Sequence, residues 1–279
     1  MRYKFIDDAT VLEAVDLKTV GISSYNIKQH VPSDVPTHNQ WIPPESLNSQ
    51  EYLNKISFWT QENKMKLNVD KTKLMIFNFS DKFQFSTRLT VGGKPLEIVN
   101  KAKLLGTVIT SDLSWDSNTE CITRKANQRM RILHKLVDYG VPVSDLTLIY
   151  ILYIRSILEQ SAVVWHSSLT EENKSDLERV QKSCLKVILQ DKYINYKTAL
   201  YLTKLQTLDS RREVLCLRSA QRCLKNKNTV DMFPEKENRS NMKTRHPEKY
   251  VVEHANTDRL KKSAVIYMQN LLNQNYDKN

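Results

Sequence analysis

Two adjacent carboxylates, Asp7 and Asp8, follow Phe5-Ile6 near the start of a 279-residue chain. Alternation along the strands of a hairpin over residues 2–15 buries Phe5 and leaves both acids at the turn, where they could hold divalent cations. Magnesium takes a few carboxylates together with substrate phosphates, and two such ions clamp the attacking and leaving oxygens of a phosphoryl transfer. Asp-Asp is also an ordinary turn dipeptide, so the pair alone decides nothing. Lys71, in Asn68-Val69-Asp70-Lys71-Thr72-Lys73, reads by itself as an exposed turn lysine. The remaining chemistry is excluded more easily. Cys121, Cys184, Cys216 and Cys223 form no C-x-x-C and stand at no zinc spacing from a histidine, which leaves buried inert thiols. Of five glycines only Gly92 and Gly93 are adjacent, too few for a glycine-rich phosphate loop.

The charge has a location. The chain carries 42 Lys and Arg against 31 Asp and Glu, a net +11, and residues 121–230 alone hold 19 of the former against 10 of the latter. A basic excess concentrated on regular structure reads either as the footprint of a polyanion partner or as a solvated helical surface. No run approaches the ~18 to 20 uncharged apolar residues of a membrane span, and no apolar signal core follows Met1. The expectation is a soluble intracellular protein, nuclear or cytoplasmic, that meets no membrane.

Those residues must be positioned by two kinds of element, so the fold class expected is α+β. After the hairpin, residues 16–48 are polar and hold Pro32, Pro36, Pro43 and Pro44, a long excursion with little regular structure. Leu53, Ile56 and Trp59 recur at three-residue intervals and predict a helix to about Lys64. Short strand-like runs follow at 74–79, 88–91, 95–99 and 103–109.

Near residue 115 the hydrophobic period changes to helical. Ile122, Ala126, Met130, Leu133 and Val137 form one face, opposite Arg124, Gln128, Arg131 and Lys135, and Gly140 with Pro142 stops the helix. Ser144 is read as the cap of a second helix, 145–166, apolar on nearly every side and therefore central. Thr170 opens a third, with Leu177, Val180, Cys184 and Ile188 inward and Arg179, Lys182 and Lys186 outward. Asp209 opens a fourth, on which Arg211, Arg218, Arg222 and Lys225 share a face. Residues 228–258 lack periodicity, and an apolar helical pattern returns only near 259–273.

The order of segments carries a resemblance. RYKFIDDATVLE (2–13), WTQENKMKLNVDKTKLMIF (59–77) and KLLGTVITSDLSWD (103–116) resemble three consecutive palm motifs of a reverse transcriptase, of the non-LTR retrotransposon class. IYILYIRSILEQSAVVWHSSL (149–169), LERVQKSCLKVIL (177–189) and TLDSRREVLCL (207–217) resemble the helical region after that palm, and RLKKSAVIYMQNLLN (259–273) resembles the closing segment.

The resemblance implies a partial polymerase palm over 1–115, a helical thumb-like domain over 116–227, and a mostly irregular tail over 228–279. It implies an RNA-directed DNA polymerase working on an RNA template and a DNA primer, with deoxynucleotides and Mg2+ as the intact enzyme's other requirements. Asp7 and Asp8 match the acidic pair that binds metal, Lys71 a palm lysine near the incoming nucleotide, and Leu105-Gly106 a primer-gripping hairpin. Arg124, Arg131, Lys135, Arg179, Lys182, Lys186, Arg211, Arg218 and Arg222 match thumb faces that track an RNA:DNA duplex. The family places its fingers and a further catalytic carboxylate before the Asp-Asp motif, whereas Asp7 is the seventh residue here. The expectation is therefore a fragment that is inactive alone. Two other readings are a nucleic-acid-binding helical protein without chemistry and a protein-interaction module using the apolar helix 145–166.

Overall fold

The computed structural model describes residues 39–41, 48–65, 67–78, 84–235 and 249–276. The expected hairpin at 2–15, with Asp7 and Asp8, lies outside the described residues. Two compact units divide at Ser114 and Trp115.

The first unit holds one described helix, α1 (Asn48–Glu62), and eight short strands. Strand β1 (Asn39–Trp41) pairs in parallel with β3 (Gln84–Ser86), and β2 (Lys73–Leu74) in parallel with β6 (Glu97–Ile98). Strands β4 (Thr90–Val91) and β5 (Lys94–Pro95) form a hairpin around Gly92-Gly93, and β7 (Lys101–Leu104) pairs antiparallel with β8 (Thr107–Thr110). The runs expected at 74–79 and 103–109 are thus not single strands. Among its described residues the first keeps only Leu74 in a strand, and the second is cut by a two-residue turn at Leu105-Gly106. Leu89, Val91 and Leu96 form the buried centre, joined by Leu53 from α1 and by Leu67, Val69 and Leu74. Gln50 fastens α1 to this group: its side-chain amide donates to the Thr90 carbonyl and accepts from the Thr90 N–H, both at 2.9 Å.

The second unit is helical. Helix α2 (Asp116–Asp138) buries Ile122, Ala126 and Leu133 along the expected face. It ends in a Schellman motif, with Val141 N–H donating to the Leu136 carbonyl and Gly140 N–H to that of Val137, and Gly140 at φ +71°.

The apolar segment that follows is not one helix. It starts as α3 (Val143–Ile149), widens into a π segment (Tyr150–Arg155), returns to α4 (Ser156–Leu158) and breaks before α5 (Ala162–Trp165). Ser144 is not its cap, because the helix begins directly after Pro142. Ser161 takes a left-handed φ of +54° at the break, and the two parts diverge by 45°. Glu159 sits there holding two cations, Arg155 Nε at 3.4 Å and Arg211 Nε at 3.3 Å. No single described helix is long and apolar enough to cross a membrane.

Helix α6 (Glu171–Leu189) is capped by Thr170, whose hydroxyl accepts from Asn173 N–H, and it buries Leu177, Val180, Cys184 and Ile188 as the periodicity requires. Helix α7 (Tyr196–Thr203) is capped by Asn195, and α8 (Leu208–Leu224), which starts one residue before Asp209, is capped by Thr207. The first core cluster joins α2 to α7 around Tyr150, Trp165, Leu177 and Leu185, with Leu208 of α8 at its edge. Residues 249–276, where sequence offered only a short helix, carry α9 (Asp258–Lys261) and α10 (Ala264–Tyr276). Met268, Leu271 and Leu272 of α10 bury against Cys216 and Ala220 of α8, together with Phe233 and Tyr250.

Candidate nucleic-acid interface

The acids and cations of the helical unit are distributed unequally. Some of its carboxylates are drawn into the fold's own contacts, while Glu120 and Asp138 stand exposed on α2. Asp116 accepts from Asn173 Nδ2 at 2.7 Å, which sets the starts of α2 and α6 side by side. Glu178 accepts from the Leu208 N–H and from the Tyr196 hydroxyl. Glu159 holds Arg155 and Arg211, and Asp176 holds Arg179 at 2.8 Å.

The cations of α2 have no such counterpart. Arg124, Arg131 and Lys135 are exposed on the side opposite Ala126 and Leu133, and among the described residues none meets a carboxylate. On α6, Lys182 and Lys186 are exposed and lie over the rings of Tyr196 (5.1 Å) and Tyr193 (5.6 Å). Each ammonium gains cation–π attraction there and keeps its charge. Helices α2 and α6 pack on one another through their buried faces, so each presents its cations away from the core. Such faces can meet phosphates without refolding anything. Arg218 and Arg222 are likewise exposed on α8, whereas Arg211 is half-buried with its Nε on Glu159. Its charge is engaged inside the fold. The neighbouring Arg212, which sequence reading passed over, is wholly buried on the same helix. Four and eight residues before the buried Cys216 and Ala220, it lies on the inward stripe, and that spacing was the signal available.

The other expected site residues fall in the first unit. Lys71 is exposed in a turn, its backbone N–H donating to Asn68 Oδ1 at 3.1 Å. Leu105 (φ +48°) and Gly106 (φ +89°) form the turn between β7 and β8, both central residues left-handed as a type I′ turn requires. Leu105 is 74% exposed, an aliphatic side chain held out at the tip of a hairpin. Asp7 and Asp8 lie outside the described residues, so the residues that would hold Mg2+ are not placed. Among the described residues no three His, Cys, Asp or Glu side chains gather to hold a metal ion.

The cysteines carry no site. Burial pushes the Cys184 thiol up to about 12 and the Cys216 thiol up to about 11, so both stay protonated and unreactive at neutral pH. Compared with protein-family models, curated proteins and solved structures, the chain matches none of them.

Proposed function

We propose that this chain binds the phosphate backbone of nucleic acid through the outward faces of α2 and α6, as the nucleic-acid-holding part of an RNA-directed DNA polymerase. The observation that supports this reading is that Arg124, Arg131 and Lys135 share the exposed face of α2 and, among the described residues, meet no carboxylate. Guanidinium and ammonium groups held on rigid helices neutralise phosphates and release counterions, with little regard for base sequence. An RNA:DNA duplex is the substrate class the sequence resemblance suggests. The polymerase chemistry rests on that resemblance alone, through Asp7, Asp8 and Lys71, with Leu105-Gly106 proposed as the contact to the primer strand.

Filter binding of an RNA:DNA duplex across a salt series tests the interface. With about six phosphates contacted, log K falls against log salt with a slope of roughly −4 to −5. The triple variant Arg124→Ala, Arg131→Ala, Lys135→Ala then lowers that slope by about two to three units, equally for unrelated sequences. A slope near zero, or one indifferent to the triple variant, rejects the interface. Primer extension with Mg2+ separates enzyme from binding module: extension lost in Asp7→Ala assigns the chemistry to this chain, and binding without extension leaves it a holding element.

A further inference from the structure

A helix apolar on all sides is normally buried on all sides. The segment from α3 through the π turn is not: Leu148 is 53% and Leu152 66% exposed, with Tyr153 beside them at 41%. Leu148 closes the α3 turn before the π segment, and Leu152 and Tyr153 lie within that segment. Helix α2 runs alongside, joined through the short connection at Gly140. Arg129 of α2 fixes the register, donating from Nη1 to the Tyr153 carbonyl at 2.8 Å and lying 4.2 Å over the Tyr153 ring. One turn further along α2 towards that connection stands Ile132, 38% exposed. The four apolar side chains flank a seam between two helices. Lys125 and Arg129 stand on the same flank of α2 as Ile132, and neither meets a carboxylate among the described residues.

We propose that this seam docks an amphipathic helix of a protein partner, apolar on one face and acidic along the edge that meets α2. The inference is independent of the nucleic-acid reading, which uses the opposite cations of α2. Charge and chemistry select the occupant. A second copy of the chain would bring Lys125 and Arg129 against themselves. A nucleic acid offers phosphates to those cations but no aliphatic surface to cover Leu148 and Leu152. A helix with Leu at i, i+4 and i+7 and Glu beside them satisfies both. Asp138 and Asp145 lie at the end near the connection, so the partner is acidic towards Lys125 and neutral or basic at its other end.

The test uses the full chain and a fluorescent Leu/Glu amphipathic helix of about 20 residues, its Lys-for-Glu counterpart, and a scrambled Leu/Glu peptide of the same composition. Anisotropy should show the Leu/Glu helix binding at least tenfold more tightly than either control. The double variant Leu148→Ser, Leu152→Ser weakens it about tenfold or more, since each leucine loses its burial. Lys125→Glu weakens it too, and the leucine variant keeps the parent's circular dichroism melt because both leucines are exposed. Equal binding of the scrambled peptide, or no effect of the leucine variant, overturns the proposal. Loss of RNA:DNA duplex binding in the leucine variant would reassign the seam to nucleic acid. Self-association in sedimentation, abolished by that variant, would reassign it to a second copy. Either result also overturns the proposal.

Discussion

Arg212 is the residue on which the two core clusters of the helical unit meet. Its side chain is fully buried, its Nε donates to His166 Nδ1 at 3.3 Å, and Asp209 Oδ1 lies 3.7 Å from Nη2. Because Nδ1 accepts, the proton of a neutral His166 belongs on Nε2, facing the Tyr267 hydroxyl of α10 at 3.4 Å. Burial and the adjacent Arg212 charge hold His166 down to about 4 from its ordinary 6.5. The sign follows: the unfolded chain takes up the proton first, so stability is full above pH 6.5 and is lost as pH falls from 6.5 towards 4, by on the order of 3 kcal/mol in all. His166→Gln, which keeps an acceptor for Arg212, should flatten that loss, read as melting temperature between pH 6.5 and 5. Parallel pH curves for the two proteins would contradict this. Arg212→Ala is expected to cost about 2–5 kcal/mol, since it empties a buried site beside Trp165 and removes the donor to His166 Nδ1. Half of this arrangement was legible in sequence. Spacing to Cys216 and Ala220 places Arg212 inward, but the adjacent Arg211 has the same chemistry, and only the position of Glu159 shows which arginine faces what.

At the scale of elements, sequence reads well where one local rule acts and poorly where two compete. Periodicity located α1, α2, α6 and α8 to within a residue or two, and Thr170 and Gly140 marked real helix ends. The apolar run 145–166 failed as a single helix because uniform hydrophobicity carries no periodic signal. At its break Glu159 is held by Arg211 from α8, a contact 52 residues away that no local pattern contains. The described residues near Met232 and Tyr250 gave no periodic signal because α10 holds them from a distance in sequence. Asn273 there accepts from the Tyr250 N–H at 2.9 Å and donates to its carbonyl at 3.1 Å, while Gln269 donates to the Met232 carbonyl at 2.8 Å. The β7–β8 turn supplies an element-scale prediction. Leu105 holds a left-handed φ that favours Asn or Gly, so Leu105→Asn should stabilise the hairpin by about 0.5–1 kcal/mol. If Leu105 also touches a primer strand, the same variant weakens duplex binding while raising stability, and thermal melts with filter binding on one preparation show both. Gly140→Ala runs the other way, costing about 1 kcal/mol because alanine resists the φ of +71° that the Schellman motif needs.

For the whole molecule, the two units differ in how their described residues are held. In the first, every described strand pairing is two-stranded, and three residues, Leu89, Val91 and Leu96, make up the buried centre. Isolated strand pairs are marginal in water unless a helix covers them, and here α1 does so through Leu53 and the Gln50 amide. In the second, two clusters containing Tyr150, Trp165, Leu177 and Phe233 bury whole side chains, and a polar chain crosses them. Tyr150 donates to Gln181 Oε1 at 2.5 Å, and Gln181 Nε2 donates to the Tyr196 hydroxyl at 2.8 Å and the Gln206 carbonyl at 2.9 Å. A satisfied buried network of this kind ties the π segment that continues α3 to α6 and α7, so they open as one. Hydrogen exchange should therefore show the amides of α2, α6 and α8 exchanging only through global opening of their unit, and those of β2, β4, β5 and β6 exchanging earlier and separately. Gln181→Leu, which leaves the Tyr150 hydroxyl and the Gln206 carbonyl without partners, should speed exchange across α3, α6 and α7 together and leave the strands unchanged. Equal protection in the two units, or a Gln181→Leu effect confined to α6, would show that stability is not partitioned along this division.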